Sequence, residues 1–359
     1  MSKIALITFH DTTNFGALLQ TFGLYKKLND LGCNCSILDY QCAASQLKNE
    51  IPAKFEFSLN PRKLASEYLL KSKKRKKYAA MQQFSRTHMP KKSQRYDRGS
   101  VFDIKEDFDT FVVGSDMLWG LDVTAGDYSY FLDFVNDDKR KFSYGSSIGK
   151  RDWTSEEKEK IGKLLARFHK IAIREEKTVE RLAPVLNGKD CQVVCDPTML
   201  LTASEWQPYI GRRLFKKDYV VLYFDTDDHK CLNDAKVYAK KHGKELLVIS
   251  QMPSFITHTH NVFPYKVEDF LSLLYYADTV FTASYHGMVF SLYFHKNLIY
   301  YNRAPAYRME TVAKRMNVGN REGRKVDFNN LSPMDYADID RRLEGYRQES
   351  IAYLKEALR

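Results

Sequence analysis

Strand-type and helix-type stretches alternate along almost the whole chain, and its first forty residues set the sense of that alternation. "IALITF" (4–9) is a short apolar run of the buried-strand kind. A polar loop, "HDTTN", follows it, and "FGALLQTFGLYKKLNDLG" then carries Leu18, Phe22, Tyr25 and Leu28 at steps of three and four. Gly32 stands where a helix-terminating glycine belongs. "CSILDY" (35–40) offers the second strand. A strand–helix–strand unit of this length makes the two strands parallel, with a right-handed crossover, and so commits the chain to an open α/β sheet.

The pattern repeats. Strands are expected at 110–115 ("TFVVGS"), 141–147 ("KFSYGSS"), 170–175 ("KIAIRE") and 192–196 ("QVVCD"). A second α/β series supplies "YVVLYFD" (219–225), a helix over 229–242, "ELLVIS" (245–250), "TVFTAS" (279–284) and "NLIYYN" (297–302). The 359 residues exceed the usual size of one compact core. The sequence therefore divides into a Rossmann-like domain over 1–207, a second over 218–335, and a closing amphipathic helix over 336–359. Residues 43–100 read as a basic insertion, helical or irregular, in the first domain. The expected fold is two parallel-sheet domains facing a cleft.

Hydrophobic residues at 44% and charged residues at 28% suit a globular chain. No stretch has the about 18 uninterrupted apolar residues of a membrane span, and the N-terminus lacks the apolar core and cleavage site of a signal peptide. The six cysteines form no zinc-site spacing and read as reduced structural thiols, so a cytoplasmic location is expected. The net charge of +11 points to an acidic partner or substrate. "KSKKRKKY" concentrates it in Lys71, Lys73, Lys74, Arg75, Lys76 and Lys77. A solvated face is the plain reading of this run; an anionic membrane surface is the functional one. Nucleic acid is not expected, because no recognition module surrounds the run.

Open parallel sheets bind ligands outside the carboxyl ends of their strands. The residues there are His10, Asp11 and Asn14; Gly114, Ser115 and Asp116; Ser146 and Ser147; Arg174 and Glu175; Asp196; and Ser284, Tyr285 and His286. Asp116 is as suited to capping a helix as to meeting substrate. Ser146 and Ser147 lack a G-x-S-x-G elbow and read as turn formers. Arg174 could pair with Glu175 or Glu176, or grip a carboxylate or phosphate with its planar fork. His286 has the strongest position. It falls where a strand hands over to a helix, with Gly287 after it, and the N–H groups of such a helix start face any bound anion. Imidazole titrates near neutral pH in water, so the position suits proton transfer. No G-x-G-x-x-G, GxxxxGK[ST] or HExxH occurs, which sets aside dinucleotide, P-loop and zinc-hydrolase chemistry.

The segments "NFGALLQTFGLYKKL", "VVGSDMLWG" (112–120), "YGSSIG" (144–149), "IREEKTVERL" (173–182), "CDPTMLLTASEW" (195–206) and "TASYHGMVFSLYF" (282–294) occur in the order found in the polysaccharide pyruvyltransferase family, which the chain resembles from residue 1 to about 325. The resemblance implies a GT-B-like architecture whose last helix crosses back to the first domain. It also implies transfer of a pyruvyl (1-carboxyethylidene) group from phosphoenolpyruvate to hydroxyls of a saccharide in a capsular or other surface polysaccharide precursor. By that likeness His286 is donor ligand and general acid/base. Arg174, Ser284, Tyr285, Gly287 and Arg303 or Arg308 complete the donor site. Asn14, Gln20 and Asp116 lie on the acceptor side, with Asp116 activating a hydroxyl. No metal or cofactor is implied, since arginines and helix termini can neutralise phosphate. A lipid-diphosphate-linked acceptor would place the enzyme at the inner membrane face, through Lys71–Lys77. One position departs from the family: many members carry an arginine two residues before the histidine, where this chain has Ser284. The competing expectations are a GT-B glycosyltransferase using a nucleotide sugar and a non-enzymatic protein with a basic binding surface.

Overall fold

The computed structural model describes residues 2–44, 61–250, 260–303 and 307–359. The chain divides into two compact units. Met1–Glu50, Ser85–Leu201 and Glu344–Arg359 make the first, and Ile51–Phe84 with Thr202–Leu343 make the second.

In chain order the first unit is built from β1 (Lys3–Ile7), α1 (Phe15–Asp30) and β2 (Asn34–Tyr40). The end of the long helix α2 (Pro61–His88) follows, then β3 (Lys92–Tyr96), β4 (Thr110–Asp116), β5 (Arg140–Ser146) and α3 (Ser155–Ala166). The series closes with β6 (Ile171–Ile173), α4 (Glu176–Leu186) and β7 (Cys191–Val193). The seven strands form one sheet in the order β3-β2-β1-β4-β5-β6-β7, and every described pairing is parallel. Helices cover both faces, so Ile4 to Ile7 and Phe142 to Tyr144 read as continuous apolar or small runs and are buried. The order reverses between β1 and β4, which opens a crevice at their carboxyl ends.

Two features tie that edge together. A Cβ on Gly23 of α1 would lie 2.4 Å from the carbonyl oxygen of Pro197, so only glycine lets the helix approach the turn after β7. Asp116, the last residue of β4, has φ +81°, a left-handed conformation that few non-glycine residues adopt, aspartate more readily than most.

The second unit contains β8 (Tyr219–Tyr223), α5 (Lys230–Lys241), β9 (Glu245–Ile249) and β10 (His260–Val262). α6 (Val267–Tyr275), β11 (Thr279–Thr282), α7 (Tyr285–Tyr293), β12 (Asn297–Tyr300) and α8 (Tyr307–Arg315) continue it. Its five-stranded parallel sheet runs β10-β9-β8-β11-β12, reversing between β8 and β11. The final helix, α9 (Tyr336–Ala357), begins in this unit and from Glu344 belongs to the first. There Ser350 Oγ accepts from Cys195 N at 2.9 Å, Tyr353 Oη donates to Ser143 O at 2.8 Å, and Arg347 Nε donates to Met199 O at 2.9 Å. The expected crossing helix is thus present.

The expected strands all form, within a few residues of their sequence bounds. β3 and β10 were not expected. "KSQRY" and "HNV" are polar because each is an edge strand with one neighbour, and edges tolerate or prefer charge. The region 43–100 accordingly holds a strand beside its helix. The cysteines are free thiols, and burial pushes Cys195 up to about 11 and Cys191 to about 12, so both stay protonated. Among the described residues no helix is long and apolar enough to cross a membrane.

Candidate functional site

The carboxyl edge of the first sheet is organised around Arg174, which leaves β6 with its side chain 1% exposed. Its Nη1 donates to Asp196 Oδ2 at 2.7 Å, and its Nε lies 3.3 Å from Glu175 Oε1. Nη2 meets Ser147 Oγ at 3.2 Å and Asp116 Oδ1 at 3.5 Å. The carboxylates are themselves held. Asp196 Oδ1 accepts from the backbone and hydroxyl of Thr198 (3.0 and 2.7 Å), and Glu175 accepts from Ser147 Oγ (2.7 Å) and Thr178 Oγ1 (3.1 Å). A guanidinium out of water is tolerated only with such pairing. Its fork is therefore filled by protein carboxylates. Of this cluster Asp116 reaches solvent furthest, at 18% side-chain exposure.

Asn14 caps α1, its Oδ1 accepting from Gly16 N at 2.9 Å and Ala17 N at 3.4 Å, and is exposed. Gln20, six residues further on, is fully buried, its amide donating to Thr8 Oγ1 and Thr21 Oγ1, both at 3.1 Å. The structure places it in the core behind β1 rather than at the surface. At the end of β1, buried His10 sets Nε2 3.0 Å from Asp39 Oδ1 and Nδ1 3.2 Å from Thr8 O. Burial would push Asp39 up, but the hydrogen bonds from His10 and Gln41 and the charge of Arg95 bring it down to about 2.

In the second unit, α7 starts directly off β11. Ser284 is its N-cap, with Oγ accepting from Gly287 N at 3.4 Å. Thr282 Oγ1 accepts from Ser284 N at 3.0 Å and donates to Tyr223 O at 2.6 Å, pinning the junction to β8. A Cβ on Gly287 would fall 2.3 Å from Thr282 Oγ1 and 2.9 Å from Tyr223 Cδ1. The glycine of "SYHG" is thus required by close packing, and it seats the first helical turn on the sheet. His286 lies in that turn, 8% exposed, with its ring edge-on to Tyr285. Ser284, which takes the family's arginine position, works here as a helix cap.

The cations are elsewhere in the same unit. Arg303, just past β12, donates Nη2 to Asp227 Oδ1 at 3.0 Å. Arg308 lies half-exposed on α8. Arg324, which the strand-end rule missed, donates Nη2 to Asp228 Oδ2 at 2.8 Å. His229 and Asp225, 2.7 Å apart, were missed as well. The same rule applied after "YVVLYF" would have found the loop "DTDDH" that holds them.

The structure therefore brings Arg174 and Asp116 together in the first unit, and Ser284, Tyr285, His286, Gly287 and Arg303 into the second. Among the described residues no group of His, Cys, Asp and Glu could hold a metal ion. The basic run lies on α2. Lys77 is buried, 5.3 Å from the centre of the Phe263 ring, and burial lowers it to about 8. Arg75 and Lys76 are exposed; Lys71, Lys73 and Lys74 are partly so.

A sequence model of a family described as polysaccharide pyruvyl transferase matches residues 14–305. Among curated proteins none matches the chain. Solved structures share its fold at low identity. An alpha-glucosyltransferase in complex with UDP and DNA is 8% identical, with a TM-score of 0.50, covering 98% of this chain and 91% of that one. The UDP-N-acetylglucosamine 2-epimerase of Rickettsia bellii is 10% identical (TM-score 0.48; 99% and 96% covered). That of Neisseria meningitidis, bound to UDP-GlcNAc, is 11% identical (0.46; 100% and 99%). With two Rossmann-type sheets in one chain, the likeness to the glucosyltransferase places the fold in the GT-B-like class.

Proposed function

Because the chain belongs to the polysaccharide pyruvyl transferase family, whose enzymes move pyruvyl groups, we propose that it takes the group from phosphoenolpyruvate and sets it as a ketal across two hydroxyls of a saccharide in a capsular or other surface polysaccharide precursor. The observation that carries the reading is His286 on the first turn of α7, at the carboxyl end of β11, beside the reversal of strand order. A phosphate or carboxylate at that helix start meets backbone N–H groups and the positive end of the helix dipole. In this reading the imidazole passes a proton to the methylene carbon.

The balance of the reaction follows. Protonation of the methylene makes a methyl group and leaves positive charge on the adjacent carbon, which the first hydroxyl oxygen attacks, losing its proton. The second hydroxyl adds to the same carbon as its bond to the phosphate oxygen breaks, and the phosphate leaves carrying that hydroxyl's proton. Asp116 is the group assigned to take a proton from the acceptor, since it is the outward arm of the Arg174 cluster. Arg174 holds that arm in place, and the donor's charge falls to the helix start and the second-unit arginines. No metal or cofactor is assigned a role.

Calorimetric titration with phosphoenolpyruvate, UDP-galactose and GDP-mannose, on the wild type and His286→Ala, tests this. Phosphoenolpyruvate alone should bind, and the variant should lose it. Binding of a nucleotide sugar instead would move the chain to the glycosyltransferases, and salt-sensitive DNA binding with no ligand response would make it a binding protein. A peripheral position at the inner membrane face, recruiting a lipid-diphosphate-linked acceptor, is proposed through Lys71, Lys73, Lys74, Arg75 and Lys76; buried Lys77 takes no part. Their replacement by glutamine should abolish binding to anionic liposomes, and unchanged binding would remove the membrane from the scheme.

A further inference from the structure

Two arginines from later segments of the second unit, Arg303 and Arg324, reach the loop 225–229 at the carboxyl end of β8, which itself carries His229. His229 precedes α5 and sets Nδ1 2.7 Å from Asp225 Oδ2. Arg303 follows β12 and reaches Asp227, and Arg324 reaches Asp228. Each of the three basic side chains is thus matched to its own aspartate. The loop turns sharply off β8 because Phe224, a non-glycine residue, has φ +61°, and His229 is likewise left-handed at φ +56°. Such conformations cost of order 1 kcal/mol or more and persist where the surroundings impose them.

The position of these pairs distinguishes them from scattered surface ion pairs. Ala283 N donates to Phe224 O at 2.9 Å and Tyr301 N to Thr282 O at 2.8 Å, so the ends of β8 and β12 flank the end of β11. The Asp227–Arg303 pair consequently reaches across the strand end that leads into Ser284 and His286. Asn302, beside Arg303, carries a buried side-chain oxygen with no hydrogen-bond partner among the described residues. Rotated about its amide, that side chain would offer an N–H there.

The three aspartates are not equivalent. Asp225 is fixed: its Oδ1 accepts from Thr226 N at 2.8 Å and Leu232 N at 2.9 Å, and its Oδ2 orients His229, leaving Nε2 for a ligand. Asp227, 90% exposed, can turn into water; Asp228, 53% exposed, can release Arg324 through Oδ2 while its Oδ1 still accepts from Lys230 N at 3.3 Å. Exposed ion pairs are weak, so a multiply charged anion that meets both guanidinium groups at once can displace them.

We propose that His229, Arg303 and Arg324 form an anion cradle for a small phosphorylated carboxylate, and that Asp227 and Asp228 fill it as placeholders when no ligand is bound. That the ligand is the phosphoenolpyruvate donor rests on the reading above; the cradle itself does not. It supplies the positive charge that Ser284 cannot, and it adds Arg324 and His229 to the residues that meet the donor.

The test is calorimetry on the full chain at low salt with phosphoenolpyruvate, inorganic phosphate and UDP. The variants are Arg324→Gln, His229→Gln and the double change Asp227→Asn with Asp228→Asn. All these side chains are substantially exposed, and circular dichroism confirms that each variant is folded. Arg324→Gln should weaken phosphoenolpyruvate and phosphate about tenfold or more, and His229→Gln should weaken both. The double aspartate change should tighten both about tenfold, as two negative charges near a dianion are removed. If phosphoenolpyruvate does not bind but phosphate or UDP does, with the same dependence on these variants, the cradle stands and the donor reading fails. If phosphoenolpyruvate binds and neither Arg324→Gln nor the double change alters its affinity beyond twofold, the cradle is refuted and the donor reading stands. If no anion binds the wild type, both fall.

Discussion

Asp196→Asn is the sharpest probe of the first unit's carboxyl edge. Asp196 is fully buried, and the Arg174 side chain it meets at 2.7 Å is 1% exposed. The asparagine can keep its carbonyl toward Thr198, but its NH₂ then faces Arg174, donor against donor. Removing one partner of a buried pair leaves an uncompensated charge and costs about 3–5 kcal/mol. For a unit of this size, that lowers its melting temperature by about 10 °C. Asp116→Asn should behave differently. Asp116 lies 3.5 Å from Arg174 and is partly solvated, and asparagine tolerates φ +81° as well as aspartate does, so its loss should stay below about 1 kcal/mol. Scanning calorimetry gives the two shifts, and amide hydrogen exchange in β5 to β7 assigns them to the first unit. The reasoning fails if Asp116→Asn destabilises as much as Asp196→Asn, or if Asp196→Asn loses less than about 1 kcal/mol. Either result would mean that Arg174 is not anchored inward with Asp116 as its outer arm.

Other outcomes follow from single sites. Burial holds Lys77 at about 8, below its ordinary 10.5, so the unfolded chain binds the proton more tightly and stability should rise between pH 8 and 10.5. Lys77→Met should remove that rise and stabilise the protein at pH 7 by of the order of 3 kcal/mol, read by denaturant titration across pH. Asp39, brought down to about 2 from 3.8, contributes stability that is full above pH 3.8 and lost as pH falls through 2. Acid titration of Asp39→Asn should lack that step, of about 2 kcal/mol. Gly287→Ala places a methyl against Thr282 and Tyr223, so despite the better helix propensity of alanine it should lose about 1–3 kcal/mol and weaken phosphoenolpyruvate binding; an unchanged melting temperature and affinity would contradict the close packing.

Much of the fold was legible because buried parallel strands announce themselves. "IALITF", "TFVVGS" and "YVVLYFD" are apolar on both faces, and the helices between them keep a single apolar stripe. β3 and β10 were not legible, since an edge strand takes its place from a neighbour's hydrogen bonds and needs no apolar pattern of its own. The strand-end rule found Asp116, Arg174 and His286, because chain order alone places them after strands. It could not tell what each faces. Arg174 offers the same guanidinium on paper whether a ligand or Asp196 fills its fork, and Gln20 looks as available as Asn14 until Thr8 and Thr21 are seen to hold it.

Tertiary pairing also accounts for what was missed. Arg303 and Arg324 stand 76 and 96 residues beyond the aspartates they meet, and only the folding of the second sheet brings them to the loop that carries His229. Each sheet sets a non-glycine residue in the left-handed region at the carboxyl end of a strand beside the order reversal: Asp116 ends β4 and Phe224 follows β8. Neither conformation is demanded by the residue that adopts it. In both places the residues at the turn are charged: Asp116 itself lies against Arg174, and Asp225, Asp227 and Asp228 lie against His229, Arg303 and Arg324. Phe224 also packs its ring against the core of the second sheet and edge-on to Tyr223, with 5.0 Å between centroids. Phe224→Gly should therefore lower the melting temperature by removing that packing and also weaken anion binding to the second unit; an unchanged anion affinity would show that the turn does not set the charge placement.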